Sequence, residues 1–223
     1  MRWKFILGLL TTCAVLMSMS YTMLIPFLPM YLIQDLGVVK ADVDMWSGAI
    51  FAITFLVSGI MAPIWGALAD KKSRKLMALR AGFCLAITYF LGGLVTNPWE
   101  LLGVRFIQGL SAGLWPALLA IISVESPKLK LGFCMGVMQG GMTAGGVLGP
   151  LFGGLLADQL GMRMAFFIAA AALFLITLAL LFFVKEEPRK PDPNAKPVKI
   201  WDFSLCKIPA VKRMLICAGV VQL

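Results

Sequence analysis

Long apolar runs broken by short polar stretches set the pattern of this chain. Six runs are long enough to cross a bilayer: Phe5–Ile33, Trp46–Leu68, Leu76–Val95, Leu101–Val124, Gly132–Leu156 and Ala165–Val184. Each holds at least the roughly 20 residues that a hydrocarbon core of about 30 Å requires. Lipid offers no partner for backbone N–H and C=O groups, so a spanning segment is a helix or a strand of a closed barrel. The runs are continuously apolar and do not alternate, which predicts helices. The expected fold is all-α: a polytopic membrane protein with six transmembrane helices and the start of a seventh.

The first run follows Arg2 and Lys4, as a signal peptide would. It continues well past signal length without a convincing small-x-small cleavage site, and so predicts a retained first helix. Residues 1–184 are expected to form one six-helix bundle. Residues 185–211 are basic and begin with four prolines (Pro188, Pro191, Pro193 and Pro197), the composition of a linker. Residues 212–223 open a further apolar run that reaches Leu223 after about ten residues, too few to span. They are expected to begin a seventh helix, so that the chain corresponds to a fragment or to a split or truncated product.

Hydrophobic residues make up 60% of the 223 positions and charged residues 14%, with a mean hydropathy of +0.90. Few soluble domains carry so little charge. The net charge of +9 would suggest a nucleic-acid partner if it were spread over a soluble surface. Its placement excludes that reading. Of the 20 Lys and Arg, 17 fall at the N-terminus, around the second and fourth connections, or after Val184. The other connections hold Lys40 and Arg163 together with Asp35, Asp42, Asp44, Glu100 and Asp158. This asymmetry predicts both ends of the six-helix unit in the cytoplasm of a cell membrane. Histidine is absent and the five cysteines are scattered, so no metal site, cofactor site or disulfide frame is expected. No H-E-x-x-H or G-x-S-x-G motif is present, and an enzyme is not expected.

Two stretches repeat at an offset of 88 residues. Gly66-Ala-Leu-Ala-Asp70 echoes Gly154-Leu-Leu-Ala-Asp158, at the ends of the second and fifth spans. Three spans per unit would insert the two units with opposite topology. Inverted repeats of this kind build secondary transporters, with the substrate site near the midplane between repeats.

Three further patterns sharpen this. Gly66-x-Leu-x-Asp70-Lys-Lys-Ser-Arg74-Lys75 joins the second and third spans. Arg105-x-x-Gln108-Gly109 lies in the fourth. Gly145-x-x-x-Gly149-Pro150-x-x-Gly153-Gly154 lies in the fifth, with Gly141 one turn earlier on the same face. A cation within a span costs about 2.5–3.5 kcal/mol on insertion scales, so Arg105 should face a partner or a wet cavity, unless it snorkels to the nearby surface. Glycines four apart let a neighbouring helix approach closely.

Together with the topology, these patterns resemble the major facilitator superfamily, and within it the 12-helix drug:proton antiporters. The resemblance covers this whole chain but only the N-terminal half of a typical member. It implies a gating latch at Gly66, Asp70, Arg74 and Lys75, with Lys71 and Ser73 departing from the usual arginine and glycine. It implies a proton-coupling role for Arg105, Gln108 and Gly109, and an antiporter motif at Gly145, Gly149, Pro150, Gly153 and Gly154.

Pro26 and Pro29, beside Phe27 and Tyr31, mark either a plain kink or a break lining a cavity. Met135, Met138, Gln139 and Met142 share one side of the fifth helix, as core packing or as a promiscuous pocket wall. Tyr21 and Trp115 are further cavity candidates. No acid lies at the centre of a span, so the proton carrier is either Asp35 or a residue of the other half. The expected function is proton-driven export of amphipathic compounds by alternating access. The expected partners are lipid, protons, small amphipathic substrates and a C-terminal six-helix half. The alternatives are a metabolite or sugar carrier of the same superfamily and an inactive half-transporter.

Overall fold

The computed structural model describes residues 2–71 and 73–184. The expected linker (185–211) and seventh helix (212–223) lie outside the described residues. Among the described residues eight α-helices follow one another: α1 (Arg2–Met23), α2 (Leu28–Gln34), α3 (Val43–Lys71), α4 (Arg74–Leu94), α5 (Pro98–Leu110), α6 (Leu114–Glu125), α7 (Leu131–Leu160) and α8 (Met162–Phe183). Among the described residues six segments are long and apolar enough to cross a membrane: Trp3–Met23, Lys40–Ala69, Arg74–Leu94, Pro98–Glu125, Lys128–Leu160 and Met162–Phe183; the fourth is interrupted between α5 and α6, and α2 continues the first beyond a break at 24–27.

The first and fourth spans are therefore not the continuous helices expected over Phe5–Ile33 and Leu101–Val124. The first breaks over 24–27, where Pro26 cannot donate to the helical ladder and Pro29 restarts it within the first turn of α2. The fourth breaks over 111–113, where Gly113 takes φ +116°, a conformation that disfavours any side chain. The second and fifth spans run longer than expected, to 29 and 30 residues, because each continues as helix into its flanking connections.

The 88-residue repeat extends through the architecture. The offset carries the short 3-10 turn Lys40–Asp42 onto Lys128–Lys130, α3 onto α7 and α4 onto α8, each to within a residue. It also carries the break at 24–27 onto 112–115, overlapping the break at 111–113. Packing follows the same symmetry. The most extensive contacts join α1 to α7, α4 to α8 and α3 to α5. Exchanging the two repeats turns the first pair into the third and leaves the second unchanged.

Each of these interfaces uses glycine. A methyl group at Gly145 would run into the Val15 carbonyl. One at Gly153 would lie 2.7 Å from the Met23 carbonyl, and one at Gly109 would lie 2.8 Å from that of Thr54. Gly82 and Gly92 of α4 instead leave room for side chains of α8, Thr177 and the Phe166 ring. Helix association in lipid relies on close backbone approach, which small residues permit.

Candidate functional site

Arg105 sits in α5, seven residues after Pro98, about 10 Å along the helix at 1.5 Å per residue. Asn97 fixes the start of that helix, its side chain accepting from the Glu100 N–H at 2.9 Å, while the Glu100 carboxylate accepts from the Thr96 N–H at 2.8 Å. Arg105 does not snorkel outward. It is 8% exposed and donates from Nη1 to Gln108 Oε1 at 2.7 Å. Its guanidinium lies 5.9 Å from the ring of Tyr89 on α4, and Tyr21 of α1 meets Tyr89 edge-on at 6.5 Å. Four polar side chains from three spans thus meet inside the bundle. Gly109, one residue on, packs α5 against α3, where the Thr54 hydroxyl reaches the Arg105 carbonyl at 3.4 Å.

A second group holds the break at 111–113. A broken helix frees carbonyls that need donors. Trp65 Nε1 donates to the Leu110 carbonyl at 2.8 Å, and Arg80 Nη2 to that of Ala112 at 3.0 Å. The Arg80 guanidinium stacks on the Trp65 ring, 3.3 Å from its centre. Beside this stack lies a cavity of about 520 Å³, lined in part by Ser58, Trp65, Gly66, Arg74, Arg80 and Gly113.

The expected latch sits at the same end of the bundle. Arg74 donates to the Ala120 carbonyl of α6 at 3.3 Å, and Lys75 to the Leu181 carbonyl of α8 at 2.7 Å. Lys75 thereby reaches a carbonyl in the last turn of α8, where positive charge is favoured. The Asp70 side chain lies outside the described residues. Ser73 needs no glycine conformation: its backbone is extended and its hydroxyl caps α4, accepting from the Leu76 N–H at 3.1 Å. Gly66 is exposed, with open space around it.

The Gly145-to-Gly154 pattern faces α1 and the break beyond it. Methyl groups at Gly149 would meet the Thr22 hydroxyl and the Met19 carbonyl, and one at Gly154 would lie 3.1 Å from the Phe27 ring. Helix α7 runs unbroken through Pro150.

Other expected site residues are dispersed. Asp35 pairs with Arg163 at 3.3 Å, tying the end of α2 to the start of α8. Tyr31 is fully buried and donates to the Gly92 carbonyl at 2.9 Å. Met138 is core. Met135, Met142 and Trp115 are half-buried, and Gln139 is exposed. Tyr89, Trp65 and Arg80 were not singled out from the sequence. A usable signal existed for Arg80, a cation six residues inside α4, but its nearness to the basic connection concealed it.

The profile of the Major Facilitator Superfamily matches residues 10–219. The chain is 41% identical over 186 residues to "Multidrug resistance protein MdtG" of Salmonella paratyphi A, a match covering 83% of this chain and 46% of that protein. It is 42% identical to the MdtG of Citrobacter koseri over the same shares. Among solved structures, a bacterial homologue of the human lysosomal transporter Spinster superposes with a TM-score of 0.72 at 22% identity, covering 92% of this chain and 48% of that one. The POT family transporter PepTSo gives 0.71 at 14% identity, covering 84% and 40%. This chain belongs to the major facilitator superfamily: it is a transporter chain, not an enzyme. It spans about half the length of the curated relatives it matches.

Proposed function

We propose that this chain forms the N-terminal wall of a proton-driven exporter of amphipathic compounds that works by alternating access. The observation that carries the reading is the buried Arg105–Gln108 pair, set in a bundle whose repeats each open with a broken span. Interrupted helices at corresponding positions of two repeats mark the substrate site of secondary carriers. The name of its relatives, multidrug resistance protein, supports drug-like cargo. A C-terminal six-helix half supplies the facing wall. Arg105 and Gln108 serve proton coupling, and Asp70, Arg74 and Lys75 latch the halves on the cytoplasmic side.

The test is ethidium accumulation in cells expressing this chain alone or joined to a C-terminal half, with and without a protonophore. The joined protein is expected to lower accumulation, and the protonophore to restore it. No lowering, with membrane expression confirmed, would favour a narrow metabolite carrier.

A further inference from the structure

The cavity beside the Trp65–Arg80 stack is lined by two arginines, Arg74 and Arg80, and, among the described residues, by no acid. A guanidinium carries five N–H donors. Arg80 uses Nη2 on the Ala112 carbonyl at 3.0 Å, and its Nε is buried with no hydrogen-bond partner. Its other neighbour is the Trp65 ring. A cation within a span is normally paired or faces water, and neither a carbonyl nor an indole neutralises it. Arg74 brings a second cation to the same cavity, tied to the Ala120 carbonyl at 3.3 Å. Much of the remaining wall is small and apolar, including Ala62, Ala69 and Ala117.

The depth of the cavity matches that of a lipid phosphate. Arg74 opens α4 beside the basic connection, and Arg80 lies six residues on, about 9 Å along the helix. Helical side chains lean toward the N-terminus, which returns the Arg80 guanidinium toward that edge. Lipid headgroups occupy roughly the outer 5–8 Å on each side of the hydrocarbon core.

We infer that this cavity binds the headgroup of an anionic phospholipid, its phosphate on Arg80 and Arg74 and its glycerol end against the alanine wall. Basic pockets between spans on the cytoplasmic side take such headgroups, and a guanidinium fork suits phosphate oxygens. A free phosphate would satisfy the arginines but leave the apolar wall uncovered. The bound lipid braces the break at 111–113, because Arg80 also holds the Ala112 carbonyl. Lipid binding here is independent of what the transporter exports.

The complete transporter, this chain joined to its C-terminal half, is purified in detergent. It is titrated with dioleoyl phosphatidylglycerol, with the matching phosphatidylcholine, or with inorganic phosphate. Native mass spectrometry counts bound lipid, and melting curves report stabilisation. Phosphatidylglycerol is expected to bind about tenfold more tightly than phosphatidylcholine and to raise the melting temperature. Arg80→Gln should weaken it about tenfold or more, in keeping with the loss of a charged hydrogen bond. Ala62→Phe fills the cavity from an exposed position and leaves both arginines, so it should abolish the preference even if Arg80→Gln does not fold. Lys128→Gln with Lys130→Gln removes two charges from another basic connection and should leave the preference in place.

Equal binding of the two lipids, or a preference that survives either Arg80→Gln or Ala62→Phe in a folded variant, would overturn the inference. Loss of the preference on removing Lys128 and Lys130 would overturn it as well, by showing attraction to basic charge in general. Inorganic phosphate that raises the melting temperature as far as phosphatidylglycerol does would overturn the assignment to lipid. Binding of neither lipid would also overturn it and leave Arg80 to a carboxylate of the other half.

Discussion

At the scale of single residues, glycines with similar sequence settings have different duties. Gly66 and Gly149 both belong to patterned motifs, yet a methyl group on Gly66 meets nothing while one on Gly149 meets the Thr22 hydroxyl and the α1 backbone. Gly149→Val is expected to destabilise the bundle by about 1–3 kcal/mol, the usual cost of overpacking, by forcing α1 from α7. Gly66→Ala, in an open helix interior, should raise stability by up to about 1 kcal/mol. Melting curves of the purified protein in detergent check both, and equal shifts would refute the distinction. Trp65 offers a second case. Trp65→Phe keeps the ring under Arg80 but removes the donor to Leu110, leaving a carbonyl unsatisfied at a cost of about 1–3 kcal/mol. Arg80→Lys should also lower the melting temperature, because an ammonium cannot stack flat on the indole while reaching Ala112.

At the scale of elements, the six spans and the glycine ridge of α7 were legible in the sequence because their signals are local: apolar runs of sufficient length and glycines at helical spacing. The break of the first span was legible as two candidates, from Pro26 and Pro29. The break of the fourth was not. Leu110-Ser-Ala-Gly-Leu is an ordinary apolar stretch, and only Gly113 followed by Pro116 hints that one helix stops and another starts. What opens that span is tertiary, the capture of its freed carbonyls by Trp65 and Arg80 from two other helices. The Arg105 cluster was half legible. Arg105 and Gln108 share one helix face, but Tyr89 comes from another span, and spacing along the chain says nothing of that meeting. Gly113→Ala tests the break directly. At φ +116° a side chain adds about 1–3 kcal/mol of strain. The variant should melt earlier, and it should slow ethidium export in the joined transporter if the break moves during transport. An unchanged melting curve would show that the segment relaxes into another conformation without penalty.

At the scale of the whole molecule, symmetry and charge make one prediction together. The repeats are three spans each, so the 88-residue offset places matching elements in opposite directions through the membrane. Because the same helix pairs form in both repeats, pairing alone does not choose that direction, although the close-packing residues differ: α7 presents Gly145, Gly149 and Gly153 to α1 where α3 has Val57, Met61 and Trp65. Orientation must then come from the connections. Those around 72 and 128–130 carry Lys and Arg in excess, while those around 35–44 and 96–100 carry mainly acids. Positively charged short loops are retained on the cytoplasmic side. Green fluorescent protein, which fluoresces only in the cytoplasm, is therefore expected to shine when fused after residue 72, 130 or 190. It should stay dark after 40, 97 or 161, where alkaline phosphatase should be active instead. Replacing Lys71, Lys72, Arg74 and Lys75 together by neutral residues should weaken the contrast at the first connection more than anywhere else. Each Lys or Arg there biases one loop, whereas the helix pairs bias none. A reversed pattern in the unaltered chain would place the Arg74 and Lys75 contacts on the outer side, and with them the proposed latch.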